Sequence, residues 1–191
     1  MEAKDETRYI QRILDGETEL YAVLLDRYNR PIYSLIVQMI SCPEDAEELV
    51  QDTFLKAYRN LGSYKGESRF STWLYRIAYN ITISFTRKKR QEFLYIEDST
   101  INNVPDEKAD EILCPTDDEE RITALIQAIE LLNAEEKAII TLFYYEQKSV
   151  EEVGEVLNLT ISNVKVKLHR TRKKIYLLMS KKDNASLWKG E

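Results

Sequence analysis

One stretch near the C-terminal end of the chain combines side chains that suit the reading of double-stranded DNA. A helix that begins near Ile161 and turns by about 100° per residue presents short polar, apolar and basic groups on one face: Ser162, Lys165, Val166, His169, Arg170 and Lys173. Cations neutralise phosphates, short polar groups hydrogen-bond base edges, and an apolar group contacts a thymine methyl. The pattern predicts a DNA recognition helix. The alternative is a basic helix that meets only solvent or an acidic partner.

The residues before this stretch predict the elements that hold it. Ser149 and Glu152 have the spacing of a capping box, which marks the start of a helix. Gly154 costs that helix about 1 kcal/mol relative to alanine, and a close helix crossing would explain it. Asn158 to Thr160 then makes a short turn. This order predicts a helix-turn-helix, whose second helix buries Ile161, Val164, Leu168, Thr171 and Ile175.

A second group of side chains suits unpaired DNA. The spacing predicts a helix from Arg69 to Lys89 that presents Trp73, Arg76 and Asn80 on one side. Bases stack on an aromatic ring, a guanidinium holds phosphate, and an amide hydrogen-bonds a base edge. The alternative is that Trp73 belongs to the core and the polar residues are only solvated. The opposite side of this helix is expected to bury Phe70, Leu74, Ile77, Ala78, Ile81 and Phe85.

A third group lies on the helix predicted from Asp45 to Arg59. Its polar face carries one apolar residue, Leu55, beside Glu48, Gln51 and Asp52. Such a residue is either an anchor for a partner protein or a single exposed leucine, which is common. The opposite face is expected to bury Ala46, Leu49, Val50, Phe54, Ala57 and Tyr58.

The composition favours helices throughout. The 191 residues include only five glycines and four prolines, and 31% are charged. The pattern predicts an all-α protein with two small helical domains, residues 1–90 and 119–191, the second being the helix-turn-helix. Residues 91–118 contain Pro105 and Pro115 and no sustained periodicity, so they are predicted to be a flexible linker.

The charge is unevenly distributed. Residues 91–120 hold eleven acidic residues and one lysine, a net charge of −10, whereas the whole chain carries −6, so the remainder carries +4. Segregation of this kind indicates two basic surfaces and an acidic connector. In the free protein the connector could screen the basic helix, since exposed charges interact over about 8–10 Å at physiological salt. Alternatively, it only keeps the linker solvated and extended.

Several classes of protein are disfavoured. No window approaches the ~20 apolar residues of a membrane span, and the N-terminus has no signal-peptide pattern. Cys42 and Cys114 are far apart, as expected of reduced thiols in a cytoplasmic protein. His169 is the single histidine, and no metal cluster, phosphate loop or catalytic motif is present. We expect no enzyme, no cofactor, no metal and no integral membrane protein.

Two long runs resemble the sigma factors of bacterial RNA polymerase. Sigma region two is similar to DAEELVQDTFLKAYRNLGSYKGESRFSTWLYRIAYNITISFTRKKR, and sigma region four to AIELLNAEEKAIITLFYYEQKSVEEVGEVLNLTISNVKVKLHRTRKKI. Their order, with only a linker between them, is that of the extracytoplasmic-function (ECF) type in the sigma-70 family. The resemblance implies a protein that binds core RNA polymerase and directs promoter-specific initiation. It also implies an anti-sigma factor as a further partner, and we expect a monomer when free.

The resemblance also assigns roles to residues. Glu48, Gln51, Asp52 and Leu55 match the surface that binds the polymerase clamp helices. The loop from Ser63 to Ser68, including Tyr64 and Lys65, matches the loop that holds a flipped base of the −10 element, and Trp73, Arg76 and Asn80 match positions that face −10 DNA. Lys165, Val166, His169 and Arg170 match −35 contacts. Members often have Ser or Thr where this chain has Val166, so a polar −35 contact is either lost or exchanged for a methyl contact.

Two rival functions remain at this point. The chain would be a stand-alone transcription regulator if the helix-turn-helix bound a duplex operator by itself. It would be a polymerase-binding decoy or adaptor if it read no promoter. Only a sigma factor confers promoter-specific starts on core polymerase.

Overall fold

The computed structural model describes residues 3–40, 42–89, 96, 98–114 and 118–180, and those residues form ten α-helices and no strand. The helices are α1 (Ala3–Leu14), α2 (Tyr21–Ile40), α3 (Pro43–Arg59), α4 (Phe70–Lys89), α5 (Asp98–Asn102), α6 (Asp106–Glu111), α7 (Glu119–Glu130), α8 (Ala134–Ile140), α9 (Val150–Leu157) and α10 (Ile161–Ser180). A π-helical turn, Thr141–Tyr145, continues α8. The prediction of an all-α fold is confirmed.

The first domain is a bundle in which α2, α3 and α4 pack on one another. Pro43 begins α3, and Glu44 and Asp45 follow in its first turn, where the helix dipole favours acidic residues. Most of the apolar face predicted for α3 is buried. Tyr58 is the exception, with 40% exposure. Its ring packs edge-on against Tyr21, with 4.9 Å between the ring centroids.

The second domain is built around α10, which packs against α7, α8 and α9. Val164, Leu168, Thr171 and Ile175 are buried as expected. The prediction that Ile161 is buried is wrong, since it is 45% exposed. It is the first residue of α10, and side chains tilt toward the N-terminus of their helix, so Ile161 points past the end of the helix and not onto its packed face.

The prediction of an irregular linker is wrong for residues 98–114. Both α5 and α6 pack against α10, and their apolar side chains are buried, as are those beside them: Ile96, Ile101, Val104, Ala109 and Ile112. Burial of these residues against another helix overrides the helix-disfavouring effect of Pro105 and the acidic composition. The parts of the expected linker at residues 91–95, 97 and 115–117 lie outside the described residues.

The two domains are in contact. Helix α4 packs against α9 and α8, and α2 packs against α8. Tyr75 of α4 is 2% exposed, and its hydroxyl donates a hydrogen bond to the Glu146 carboxylate. Lys148 Nζ lies 5.0 Å from the centroid of the same ring. Burial, and next this hydrogen bond, raise the pKa of Tyr75, so the hydroxyl remains a donor across the contact.

Candidate nucleic-acid interface

The turn between α9 and α10 is held by local bonds. The capping box is confirmed, since Ser149 Oγ accepts from Glu152 N at 3.2 Å and Glu152 Oε2 accepts from Ser149 N at 3.0 Å. A Cβ on Gly154 would lie 2.8 Å from the Leu159 carbonyl oxygen, so the expected close approach is present. Asn158 takes a left-handed conformation, φ 57°, that ends α9 and redirects the chain. These features form the predicted helix-turn-helix.

The first half of α10 is open to solvent. Ser162, Lys165, Val166 and Arg170 are all exposed. Val166 has 55% exposure and lies between two basic residues. A branched apolar side chain in this position has no core to pack against, whereas it could pack on a base edge in the major groove.

Helix α6 contacts α10 through Asp106, which lies against His169 and Lys173. Lys173 is 7% exposed, and its Nζ lies 2.7 Å from Asp106 Oδ1. His169 Nε2 lies 3.2 Å from the same oxygen. The hydrogen bond from Lys173 is the largest cause that holds the pKa of Asp106 below its ordinary value. Lys173 therefore lies apart from the open group with which the sequence placed it, and Asp106 is a partner that the sequence reasoning had not singled out.

The aromatic surface on α4 is built with the loop before it. The Tyr64 and Trp73 rings lie 5.6 Å apart, and the Phe70 ring lies 5.6 Å from each of them. The Tyr64 hydroxyl donates to the Ser68 carbonyl oxygen at 2.7 Å, which closes the loop onto itself. Trp73 is half-buried, so it is both part of the core and part of the surface.

The polar residues predicted beside Trp73 are exposed. Arg76 and Asn80 lie three and seven residues after Trp73 on α4 and share its side of the helix, and Lys65 is exposed on the loop. The structure thus brings Tyr64 and Trp73 into contact and extends their surface with cationic and amide groups.

A cleft of about 690 Å³ lies beside the contact between α4 and α9 and is lined by residues of both helices. One wall consists of Glu67, Ser68, Thr72, Trp73 and Arg76, and the other includes Glu151, Glu155 and the turn to Ile161. The Thr72 hydroxyl is buried without a hydrogen-bond partner in the described part of the chain. Between the residue that precedes α4 and helix α9, Arg69 Nη1 lies 3.8 Å from Glu152 Oε1. The aromatic surface therefore faces acidic side chains of the chain's own second domain.

The third predicted face, on α3, borders an apolar groove. Glu48, Gln51 and Asp52 are exposed, and Leu55 has 47% exposure. Leu55 lines a groove of about 560 Å³ between α2 and α3, together with Tyr21, Ala22, Leu25, Val50, Phe54 and Tyr58. Leu55 is thus one side of a recess and not an isolated apolar residue. Tyr58, which the sequence placed on the buried face of α3, also lines this groove.

The described residues contain neither a metal-binding cluster nor a helix that could span a membrane. No three His, Cys, Asp or Glu side chains are grouped so that they could hold a metal ion. None of the helices within those ranges is both long and apolar enough to cross a membrane.

Comparison with known proteins identifies both domains. Sigma-70 region 2 matches residues 24–92, and sigma-70 region 4 matches residues 122–175. The ECF RNA polymerase sigma factor SigW of Bacillus subtilis is 33% identical over 171 residues, which are 85% of this chain and 90% of SigW. This chain belongs to the ECF sigma factor family. The sigma-E factor of Haemophilus influenzae is 30% identical over 87% of this chain and 90% of its own length.

Solved structures share the fold of this sigma factor. CnrH, in complex with the cytosolic domain of CnrY, superposes with a TM-score of 0.62 at 19% identity, over 90% of this chain and 95% of CnrH. The sigma factor RpoE of Bartonella quintana, in complex with the anti-sigma factor NepR, gives 0.58 at 22% identity, over 84% of this chain and 96% of that chain. The resemblance found in the sequence is confirmed: the protein directs promoter-specific transcription initiation by RNA polymerase.

Proposed function

We propose that three separate faces of this sigma factor perform initiation. The face on α3 binds core RNA polymerase, the aromatic surface of α4 and its loop binds the −10 element, and the first half of α10 binds the −35 element. The corresponding units are residues 1–90, residues 91–118 as the acidic connector, and residues 119–191. The observation that carries the proposal is the exposure of Val166 between the cations Lys165 and Arg170 on the second helix of a helix-turn-helix.

The −35 assignment rests on how this helix meets duplex DNA. In helix-turn-helix proteins the N-terminal part of the second helix contacts base edges in the major groove. The first half of α10 is the open half here, with Ser162 near its start. His169 and Lys173 lie further along and reach phosphates only when Asp106 releases them.

The −10 assignment rests on the combination of aromatic, basic and amide groups on one surface. A base that leaves the stack exposes its Watson–Crick edge and needs a π-face to stack on. Trp73 and Tyr64 offer ring faces, Lys65 and Arg76 offer cations, and Asn80 offers an amide that can pair with a base edge.

The polymerase assignment rests on the groove beside Leu55. Truncation of a packed apolar anchor at an interface commonly costs more than 1 kcal/mol. A charged Leu55→Asp variant should therefore weaken binding to core polymerase at least about tenfold, because a desolvated carboxylate adds its own penalty. Val23→Asp is the matched control, since Val23 is 37% exposed on α2 and does not line the groove.

The experiment measures core binding and promoter-specific transcription with the same variants. The proposal predicts that Leu55→Asp loses both and that Val23→Asp keeps both. A folded Leu55→Asp variant with unchanged affinity for core polymerase would show that the face on α3 does not bind polymerase. Promoter binding by the free protein with no effect on core polymerase would instead favour the rival of a stand-alone helix-turn-helix regulator.

We also propose that the protein has no enzymatic activity of its own and acts in the cytoplasm with the polymerase. An anti-sigma factor is a proposed further partner, as CnrH and RpoE are in complex with CnrY and NepR respectively. Affinity capture with the tagged sigma factor, competed by added core polymerase, tests that partner.

A further inference from the structure

We propose that Glu6 is a positioning residue for the −10 surface, and that it fixes, through two buried rings, the orientation in which Tyr64 and Trp73 meet unpaired bases. The inference deepens the proposed function and rests on it, because it needs the aromatic surface of α4 and its loop to bind unpaired DNA. It gives α1, for which the sequence indicated no role, a part in promoter reading.

The first support is the burial of the Glu6 carboxylate, which is 5% exposed. Among the side chains that the structure describes, no other Asp or Glu is buried. Taking a carboxylate out of water is costly, and an apolar side chain of similar volume in its place is often equally or more stabilising. A contact that only attached α1 to the domain would be served better by an apolar residue, as it is at Ile10 and Ile13.

The second support is the set of bonds by which Glu6 holds one ring of α2. The Tyr28 hydroxyl donates a hydrogen bond to Glu6 Oε1, and Arg27 Nη1 lies 3.3 Å from the same oxygen. The guanidinium carbon of Arg27 also lies 5.5 Å from the centroid of the Tyr28 ring, within cation–π range. Burial, and next the bond to Glu6, raise the pKa of Tyr28, so its hydroxyl remains a donor. Both the hydroxyl and the face of this ring are therefore held.

The third support is that the Tyr28 ring continues into the aromatic surface. Its centroid lies 5.6 Å from that of Phe70, which is 1% exposed. The Phe70 ring lies 5.6 Å from the rings of both Tyr64 and Trp73. Rings at such distances prefer particular mutual angles, and a close-packed core leaves a buried ring no room to turn alone. A change in the tilt of Tyr28 therefore passes through Phe70 to the rings that face solvent.

The fourth support is the place where α1 meets the loop. Helix α1 contacts the short helical turn Leu61–Ser63, which directly precedes Tyr64. Burial, and after it the charge of Glu6, raise the pKa of Tyr64, so the carboxylate lies within electrostatic reach of that side chain. The alternative is that Glu6 only anchors α1. An anchor affects stability alone, whereas a positioning residue also affects how the rings bind bases.

The experiment uses the full chain and two fluorescent probes, a mixed-sequence duplex and a mixed-sequence single strand. Glu6→Leu removes both bonds, and it should weaken single-strand binding about three- to fivefold, less than loss of the Trp73 ring itself. Duplex affinity should not change, because duplex binding is assigned to α10. Tyr28→Phe removes one of the bonds and should give part of the effect. Glu6→Gln keeps an oxygen that can accept from Tyr28 and should retain most of the binding.

A matched control separates positioning from stability. Ile36 is fully buried on α2, about two turns after Tyr28. Ile36→Val lowers the free energy of unfolding by removing a buried methyl group, and it leaves every bond of Glu6 in place. Urea denaturation measures the loss in each variant, and circular dichroism confirms that each is folded. Ile36→Val should leave single-strand affinity unchanged.

The fluorescence of Trp73 reports the orientation of the rings without DNA. Trp188, outside the described residues, is the other tryptophan of the chain, so Trp188→Phe leaves the emission of Trp73 alone. In that background, quenching by acrylamide should be stronger in Glu6→Leu than in Glu6→Gln or Ile36→Val, because a ring that is less firmly packed is easier for the quencher to reach.

Trp73→Ala distinguishes the possible failures. If it weakens single-strand binding, and Glu6→Leu costs less in that background than alone, Glu6 acts through the ring. An equal cost in both backgrounds, or unchanged single-strand affinity and quenching in Glu6→Leu, overturns the positioning role while the −10 surface stands. Equal changes in Ile36→Val and Glu6→Leu overturn it as well. If Trp73→Ala leaves single-strand binding unchanged, the −10 surface fails and the positioning role fails with it.

Discussion

The two proposed DNA surfaces of this sigma factor differ in chemistry and in how they are covered. The surface on α4 combines half-buried rings with separate polar groups, and its residues Trp73 and Arg76 line a cleft. The surface on α10 is basic, and its residues His169 and Lys173 are paired with Asp106 of α6. Rings suit unpaired bases, whereas a basic helix that projects into solvent suits the major groove. Under the proposed function, one chain reads two states of DNA with two kinds of side chain.

The largest effect should come from a substitution in α9 that displaces α10 and, with it, the whole proposed DNA surface of that helix. Gly154→Val places carbon atoms against the Leu159 carbonyl, where even a Cβ would lie at 2.8 Å. Overpacking of this kind costs about 1–3 kcal/mol, and we expect the free energy of unfolding to fall by that amount, with loss of duplex binding. Urea denaturation measures it. Gly62→Ala is the control, since its added carbon meets only Leu14 Cδ2 at 3.9 Å; equal losses in both variants would contradict the account.

Trp73→Ala should come next and should affect only the α4 surface. Stacking on an aromatic side chain contributes about 1–3 kcal/mol per base, so single-strand affinity should fall about tenfold while duplex affinity is unchanged. Fluorescence anisotropy with both probes measures the two affinities. Trp73→Phe keeps a ring and should retain much of the binding. A parallel loss on duplex would mark Trp73 as a packing residue only.

Arg170→Ala should affect only the α10 surface and by a smaller amount. Loss of one phosphate contact should reduce the slope of log affinity against log salt for duplex by about 1. A salt titration measures the slope. Arg59→Ala, an exposed cation at the end of α3, should leave the slope as it is. If both variants change it equally, binding depends on net charge and not on α10.

The smallest expected effect concerns Val166. A methyl contact with thymine contributes about 0.8 kcal/mol, the free energy of burying one such group. On a duplex from a promoter that this sigma factor uses, replacing −35 thymines by uracil should weaken binding about two- to fourfold for the unchanged protein. Val166→Ala should reduce that difference. A preference for thymine that survives Val166→Ala would place the methyl contact on another residue.

Local signals explain which elements were predictable. The capping box at Ser149, the close approach at Gly154 and the proline at the start of α3 act within a few residues of themselves. The helices α5 and α6 were missed because short helices gain little from propensity and depend on packing. A signal was present in the spacing of Ile101, Val104, Ala109 and Ile112, although the surrounding acidic residues and Pro105 outweighed it.

The sequence by itself determined the family, the all-α class, and the side chains that suit phosphate, base and polymerase, because residue type and periodicity carry that information. Only the tertiary structure decided how those side chains are paired. It sets Asp106 against Lys173, Tyr75 against Glu146, and Leu55 beside a groove shared with α2. Each pair joins residues far apart in the chain, and such contacts arise from the way helices pack, which no local pattern records.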